Sequence, residues 1–102
     1  AAEALPIARV RNLSRFMKEL QDRGVRLVGT SDQAKSTIFE SNLKGSLGLI
    51  VGAEETGIRR LTAENCDQLI KIPMRGTIEC LNVSVATGVC LFEAFRQRMP
   101  LN

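Results

Sequence analysis

The chain has 102 residues, 44% hydrophobic and 25% charged, a composition typical of at most one globular domain and outside the disordered class. Its 14 basic residues exceed its 11 acidic ones, a mild excess that favours an anionic partner such as nucleic acid only weakly. Three cysteines lack C-x-x-C spacing and histidine is absent, so we expect free thiols and no metal. No signal segment or membrane span is visible, which predicts a cytoplasmic protein without a membrane partner.

The N-terminal segment predicts a strand followed by an amphipathic helix. Residues 4–10 have the composition of a short strand, which Pro6 places at a strand start or a sheet edge. Asn12 can cap a helix, and Gly24 is typical of a helix end. Between them, four apolar residues have the spacing of one helix face: Leu13, Phe16, Met17 and Leu20. We therefore expect one helix with this stripe facing the core.

Three further apolar runs predict strands, at residues 25–30, 47–51 and 69–72. After the first run, the polar residues 31–36 predict a loop, followed by a short turn around Ile38 and Phe39. Long crossover segments separate these strands, so the sheet should be parallel and the class α/β. Ligands are then expected beyond the carboxyl ends of the strands, which are Thr30, Gly52 and residues 72–74.

The last long segment predicts an almost entirely apolar helix. Between Val83 and Phe95 only four residues interrupt the apolar run: Ser84, Thr87, Gly88 and Glu93. Such a helix has to be buried, and a single sheet covers only one of its sides, so a second copy of the chain is expected on the other. Asn82 and Ser84 are suitable N-caps, and the free N–H groups of a helix start suit a ligand or a tight polar loop.

The predicted site consists of three loops: one after Thr30, one at residues 52–57 and one at residues 73–82. The middle loop has the G-x-x-x-x-G spacing of a phosphate loop, but Ile58 and Arg59 stand where Lys and Ser or Thr are required. It also lacks the middle glycine of a dinucleotide fingerprint. Nucleoside triphosphate binding is therefore disfavoured. The alternative that its glycines only serve tight turns is about equally well supported by the loop alone.

Together these loops resemble motifs 2 and 3 of the SpoU branch of the SPOUT superfamily, the knotted S-adenosylmethionine-dependent RNA methyltransferases. The matching residues are Gly52-Ala53-Glu54 with Gly57, Asn65-Cys66-Asp67, Ile72-Pro73-Met74 and Leu81-Asn82-Val83-Ser84-Val85-Ala86. The resemblance runs from about Leu5 to Arg98. It implies a parallel α/β sheet with a deep trefoil knot, a homodimer, and methyl transfer to a ribose 2′-oxygen of ribosomal RNA. Within the branch, residues 58–62 and 92–98 most resemble the bacterial enzymes that methylate a guanosine of 23S ribosomal RNA, and this resemblance implies the same substrate.

The resemblance also implies a set of cofactor-binding residues, whose backbone groups would hold S-adenosylmethionine. These residues are Gly52, Ile72 and Leu81, with Thr30 and Met74 as further candidates. A missing or apolar side chain suits this role, because a backbone contact needs close approach and an adenine needs an apolar slot. Ordinary core packing is the alternative for Ile72 and Leu81, and without the family pattern it is the more common role of such residues.

Three polar residues, Glu54, Asn82 and Ser84, are the predicted catalytic set, which would shape the pocket or place the ribose and phosphate of the substrate. A lone glutamate in a loop is more often a solvated charge or a helix-start partner. Asn82 has helix capping as its alternative role.

Two departures from the family pattern limit the inference. Cys80 stands where the family commonly has serine, and a thiol is a weaker hydrogen-bond partner than a hydroxyl. Motif 1, an Asn-x-Gly-x-x-x-Arg segment that supplies an arginine, is absent, and the chain has no initiator methionine. Residues 1–102 are therefore interpreted as the C-terminal part of a methyltransferase catalytic domain that would not methylate RNA by itself. The alternative is a non-catalytic RNA-binding or dimerisation module.

Overall fold

The computed structural model describes residues 12–52, 58–73 and 83–99. The strand predicted at residues 4–10 lies outside these ranges. The described elements are, in order, α1 (Leu13–Asp22), β1 (Arg26–Thr30), β2 (Ser36–Thr37), a 3-10 turn (Ile38–Glu40), β3 (Leu47–Ile50), α2 (Arg60–Glu64), β4 (Gln68–Lys71) and α3 (Val83–Arg98). None of the helices in these ranges is long and apolar enough to cross a membrane.

The four strands form one parallel sheet in the order β2-β4-β1-β3. β1 is central, with Gly29 paired to Ile50 of β3 and to Leu69 of β4. The parallel sheet confirms the predicted α/β class, and each of the three strands predicted in this part of the chain lies within one residue of its observed bounds. The loop predicted at residues 31–36 is wrong at its end, where Ser36 opens β2. A two-residue strand is too short to produce an apolar pattern.

Helix α1 begins and ends where its capping residues predict. The Oδ1 atom of Asn12 accepts a hydrogen bond from the backbone N–H of Arg15 at 3.1 Å, which satisfies one of the free donors of the first turn. Beyond the last turn Gly24 has φ = 85°, a left-handed conformation that favours glycine. On the apolar stripe, Met17 is buried while Leu13 remains 39% exposed, so the stripe faces the core from its middle onward.

One face of the sheet carries the main core. Val28 of β1 and Ile70 of β4 are fully buried there, and Cys90 of α3 packs in the same cluster. Ile38 from the 3-10 turn and Leu43 from the loop after it complete this cluster. Burying each of the larger side chains contributes about 1.5–3 kcal/mol. This shared core positions α3 over the middle of the sheet.

The opposite face of the sheet is packed closely around Gly29. A Cβ atom at this position would lie 2.6 Å from Cδ1 of Ile58 and 2.7 Å from Sγ of Cys66. Only glycine therefore allows the residues that flank α2 to lie against β1. Helix α2 has no counterpart among the predicted elements, because a five-residue helix without a side-chain N-cap leaves no periodic apolar pattern.

Helix α3 begins at Val83 as predicted, but within a single chain it is not covered on every side. Cys90 and Ala94 are buried, whereas Val85, Phe92 and Phe95 are 52%, 70% and 59% exposed. The core therefore covers one side of the helix only, as expected, and burial of the other side by a second copy stays a prediction. An apolar strip remains on its outer side.

Candidate functional site at the carboxyl edge of the sheet

The parallel strand order places three of the predicted site positions at one edge. Thr30 ends the central strand β1, Gly52 follows β3 on one side, and Ile72 follows β4 on the other. Since neighbouring strands lie about 4.8 Å apart, Gly52 and Ile72 are separated across the sheet by about 10 Å, with β1 between them. The predicted convergence of these three positions is confirmed as a matter of fold, and their role in binding remains a prediction.

Backbone hydrogen bonds hold the middle of this edge. The carbonyl oxygen of Thr30 accepts from the N–H of Ile58 at 3.2 Å, so the chain that leaves β3 at Gly52 returns to β1 at Ile58. The N–H of Ser31 donates to the carbonyl oxygen of Ile70 at 2.9 Å. Its Oγ atom accepts from the N–H of Gln33 at 3.1 Å. The end of β1 is therefore fixed on both sides, and Thr30 and Ser31 are buried.

The other predicted site residues are not placed by the described part of the chain. Glu54, Met74, Leu81 and Asn82 lie outside the described residues. Ser84 is the second residue of α3, and its side chain lies outside the description as well. Their grouping with Thr30, Gly52 and Ile72 rests on the sequence alone.

The motif residues Asn65-Cys66-Asp67 lie at the opposite end of the sheet. Oδ2 of Asp67 accepts from the N–H of Leu27 at 2.7 Å and from Nε2 of Gln21 at 3.1 Å. These two hydrogen bonds, the first above all, hold the pKa of Asp67 below its ordinary value of 3.8. Asp67 thus connects α1, β1 and the start of β4, and it supports the sheet rather than the carboxyl edge.

A polar clamp holds the last turns of α3, and only the isolated Glu93 hints at it in the sequence. The buried carboxylate of Glu93 accepts two hydrogen bonds of 2.8 Å from Arg96, and another of 3.0 Å from Gln97. The amide of Gln97 also accepts from the N–H of Leu43 at 2.7 Å and donates to the carbonyl oxygen of Ser41 at 2.8 Å. Hydrogen bonds from Arg96 and then Gln97, with the charge of Arg96, lower the pKa of Glu93 to about 2. The clamp fixes α3 to the loop that precedes β3.

Neither a metal site nor a reactive thiol is found among the described residues. Within these ranges no three His, Cys, Asp or Glu side chains are grouped for metal binding. Burial raises the pKa of Cys90 to about 11, and burial with the neighbouring charge of Asp67 does the same for Cys66. A thiol at neutral pH is a poor nucleophile. The described cysteines therefore serve packing.

Comparison with known proteins assigns the family. The model of the SpoU rRNA Methylase family matches residues 1–92. The chain belongs to this family. Other SpoU proteins of known structure share its fold: the TrmH/SpoU tRNA modifying enzyme of A. aeolicus has 39% identity and a TM-score of 0.81 over 87% of this chain and 46% of that one. AviRb from Streptomyces viridochromogenes, in complex with AdoMet, has 30% identity and a TM-score of 0.80 over 92% of this chain and 39% of that one.

Similar SpoU sequences include 23S rRNA (guanosine-2′-O-)-methyltransferases named RlmB. The RlmB of Vibrio cholerae is 60% identical over 99 residues, or 97% of this chain and 40% of that protein. The RlmB of Escherichia coli K12 is 55% identical over 98 residues, or 96% of this chain and 40% of that protein. This SpoU chain thus spans about two fifths of the length of the curated relatives it matches.

Proposed function

We propose that the protein containing this chain transfers a methyl group from S-adenosylmethionine to the 2′-oxygen of a guanosine in 23S ribosomal RNA. The chain would supply the cofactor-binding part of the catalytic domain. The observation that carries the proposal is the meeting of Thr30, Gly52 and Ile72 at the carboxyl edge of a parallel sheet with the SpoU fold. The names of its RlmB relatives support the reaction and the substrate.

The residues at this edge fit a nucleoside-bearing cofactor. Gly52 has no side chain and leaves its backbone open to close approach, and Ile72 is a half-buried apolar residue on the same edge, on the other side of β1. We assign them, with Thr30, Met74 and Leu81, to cofactor binding. S-adenosylmethionine supplies an electrophilic methyl group when bound, and a related SpoU protein, AviRb, is known in complex with it.

The polar residues of the proposed site act on the substrate ribose. A 2′-hydroxyl is a poor nucleophile until its proton is removed or its anion is stabilised. The first turn of a helix has backbone N–H groups without partners inside the helix, which favour negative charge, and Ser84 lies in the first turn of α3. Asn82 and Glu54 complete the proposed set. The motif 1 arginine is absent from these 102 residues, so we propose that this chain needs a further segment for the chemical step.

We also propose that the protein is a cytoplasmic homodimer with the trefoil knot of the SPOUT superfamily. The support for the dimer is the exposed apolar strip of α3, formed by Val85, Phe92 and Phe95. Their spacing of seven and three residues puts them on one side of the helix. Exposed apolar strips of this kind are typical of protein interfaces.

A methyl-transfer assay tests the proposed function. The protein as its gene encodes it is incubated with methyl-tritiated S-adenosylmethionine and a 23S ribosomal RNA transcript. We expect label at one guanosine position, in a dinucleotide that resists alkaline hydrolysis because its 2′-oxygen is methylated. The 102-residue chain alone should be slower by more than about 10²–10⁴-fold, since it lacks a group that activates the nucleophile. Label on a base, or RNA binding without any transfer, would contradict the proposal.

A further inference from the structure

An open groove of about 830 Å³ lies between the last turn of α3 and the segment that follows β2. Phe39 and Met99 give it an apolar lining, and Lys44 and Arg98 bring cationic groups. Both apolar side chains are substantially solvent-exposed, Phe39 to 62% and Met99 to 49%. The groove is separate from the carboxyl-edge positions Thr30 and Gly52, and nothing in the proposed reaction uses it.

The charges in the groove leave a positive excess. Arg98 donates to the carbonyl oxygens of Leu43 and Gly45, which are neutral, so its charge is not cancelled. No carboxylate of the described residues forms an ion pair with Lys44. Arg96 at the rim is already paired with the buried Glu93 at 2.8 Å. The groove therefore suits an anionic ligand.

One carboxylate, that of Glu40, is among the described groups lining the groove. Its Oε1 atom accepts from the N–H of Thr37 at 2.9 Å, in a capping box that fixes the 3-10 turn. That hydrogen bond, with the more distant charge of Lys71, holds the pKa of Glu40 below 4.5. Glu40 therefore keeps its negative charge, and the described lining carries the two cations Lys44 and Arg98 against this single carboxylate, which leaves a positive excess.

The exposed ring of Phe39 is held on a rigid support. The preceding residue, Ile38, is fully buried in the main core, and the capping box holds the turn on the other side. An aromatic ring that is fixed beside cations is the usual platform for stacking a nucleobase, while the cations bind phosphates. An unstructured RNA segment presents both groups.

We propose that this groove binds a single-stranded segment of the substrate RNA, with a base stacked on Phe39 and phosphates against Lys44 and Arg98. The inference rests on the proposed function for the identity of the RNA. Phe39 follows β2 at the same edge of the sheet where Ile72 follows β4. Lys44 lies at the other end of the sheet, where Arg26 at the start of β1 donates to its carbonyl oxygen. An RNA strand bound along the groove would therefore run from the carboxyl edge beside Phe39 toward the amino ends of the strands. A second copy of the chain fits it less well, since the copy would add cations to an already positive surface.

Two conservative variants test this inference in the protein as its gene encodes it. Phe39→Leu keeps the apolar bulk and removes the ring, and Lys44→Gln keeps the length and removes the charge. Lys18→Gln on the exposed face of α1 is the matched control. The probes are a fluorescently labelled single-stranded RNA oligonucleotide from 23S ribosomal RNA, and S-adenosylmethionine alone. Sedimentation of each variant reports the oligomeric state.

We expect Phe39→Leu to weaken RNA binding by about 5- to 100-fold through loss of one stacked base, and to raise KM for RNA with little change in kcat. Lys44→Gln should lower the slope of log affinity against log salt by about 0.7, the value for one phosphate contact to a single strand. S-adenosylmethionine affinity should stay unchanged in both variants, and the control should match the wild type in every measurement.

If Phe39→Leu transfers methyl groups with the RNA affinity and the KM of the wild type, the groove assignment is overturned and the proposed function stands. An altered oligomeric state with unchanged RNA binding would also overturn it, because the groove would then lie between copies. If the wild type transfers no methyl group but both variants still lose RNA affinity, the groove assignment stands and the proposed function fails.

Discussion

Replacing Gly29 by alanine should destabilise the protein through a collision that can be located to single atoms. The new Cβ would lie 2.6 Å from Cδ1 of Ile58, 2.7 Å from Sγ of Cys66 and 3.3 Å from Cδ2 of Leu69. Overpacking of a buried site costs about 1–3 kcal/mol. Alanine also lowers the conformational entropy of the unfolded chain, which stabilises the folded variant by about 0.4–1 kcal/mol and offsets part of this cost. We therefore expect a net loss of about 1–2 kcal/mol in the free energy of unfolding.

A compensating substitution makes this prediction specific. Ile58→Val removes Cδ1, the atom nearest to the new Cβ, and alone should cost about 0.5–1.5 kcal/mol. In the Gly29→Ala background the same change should cost less, with a favourable coupling of at least about 0.5 kcal/mol. Ile70→Val, which alters the opposite face of the sheet, is the control and should combine additively with Gly29→Ala.

Urea unfolding, followed by circular dichroism, measures the four free energies of each cycle. Two results would contradict a close contact between Gly29 and Ile58: no loss of stability in Gly29→Ala, or additive costs for Gly29→Ala and Ile58→Val. Either would mean that Ile58 does not lie against β1. The chain after Gly52 would then not return to the end of β1, and the candidate site depends on that return.

Three further predictions concern α3 and the thiols. Because the folded pKa of Glu93 is about 2 against an ordinary 4.5, its ion pair stabilises the protein fully above about pH 4.5, and this stabilisation is lost as the pH falls toward 2. In Glu93→Gln the free energy of unfolding, measured with urea, should therefore fall less steeply as the pH drops below about 4.5. The same pH dependence as in the wild type would contradict the clamp. Cys66 and Cys90, with pKa values of about 11, should resist alkylation at pH 8 until the protein unfolds, as read by peptide mass spectrometry. The double variant Phe92→Ser/Phe95→Ser should sediment as a monomer. A wild type that is itself monomeric at micromolar concentration would contradict the proposed dimer.

Local signals in the sequence predict much of the fold, and they do so where one element carries its own pattern. Asn12 and Gly24 bound α1 because capping and left-handed backbone each restrict the residue type. The longer strands are visible as apolar runs. β2 and α2 are not, because they span two and five residues and depend on neighbours for support.

Contacts between distant parts of the chain explain what the sequence does not reveal. Glu93 reads as an interruption in an apolar helix, although Gln97 beside it reaches Leu43, 54 residues away. Asp67 matches a family motif, but its pairing with Leu27, 40 residues away, gives it a supporting role that the motif does not state. The strand order, which brings Gly52 to the same edge as the other site positions, likewise follows from packing and not from any local signal.

S-adenosylmethionine is proposed to bind at the carboxyl edge beside Gly52, and calorimetric titration of the protein as its gene encodes it tests this directly. Gly52→Val places a branched side chain where the backbone is proposed to approach the cofactor. Ser46→Val places the same side chain at the other end of β3 and serves as the control. We predict that Gly52→Val weakens binding by at least about tenfold, or 1.4 kcal/mol, while Ser46→Val binds like the wild type. Unchanged affinity in a folded Gly52→Val protein, or no binding by the wild type, would contradict the account.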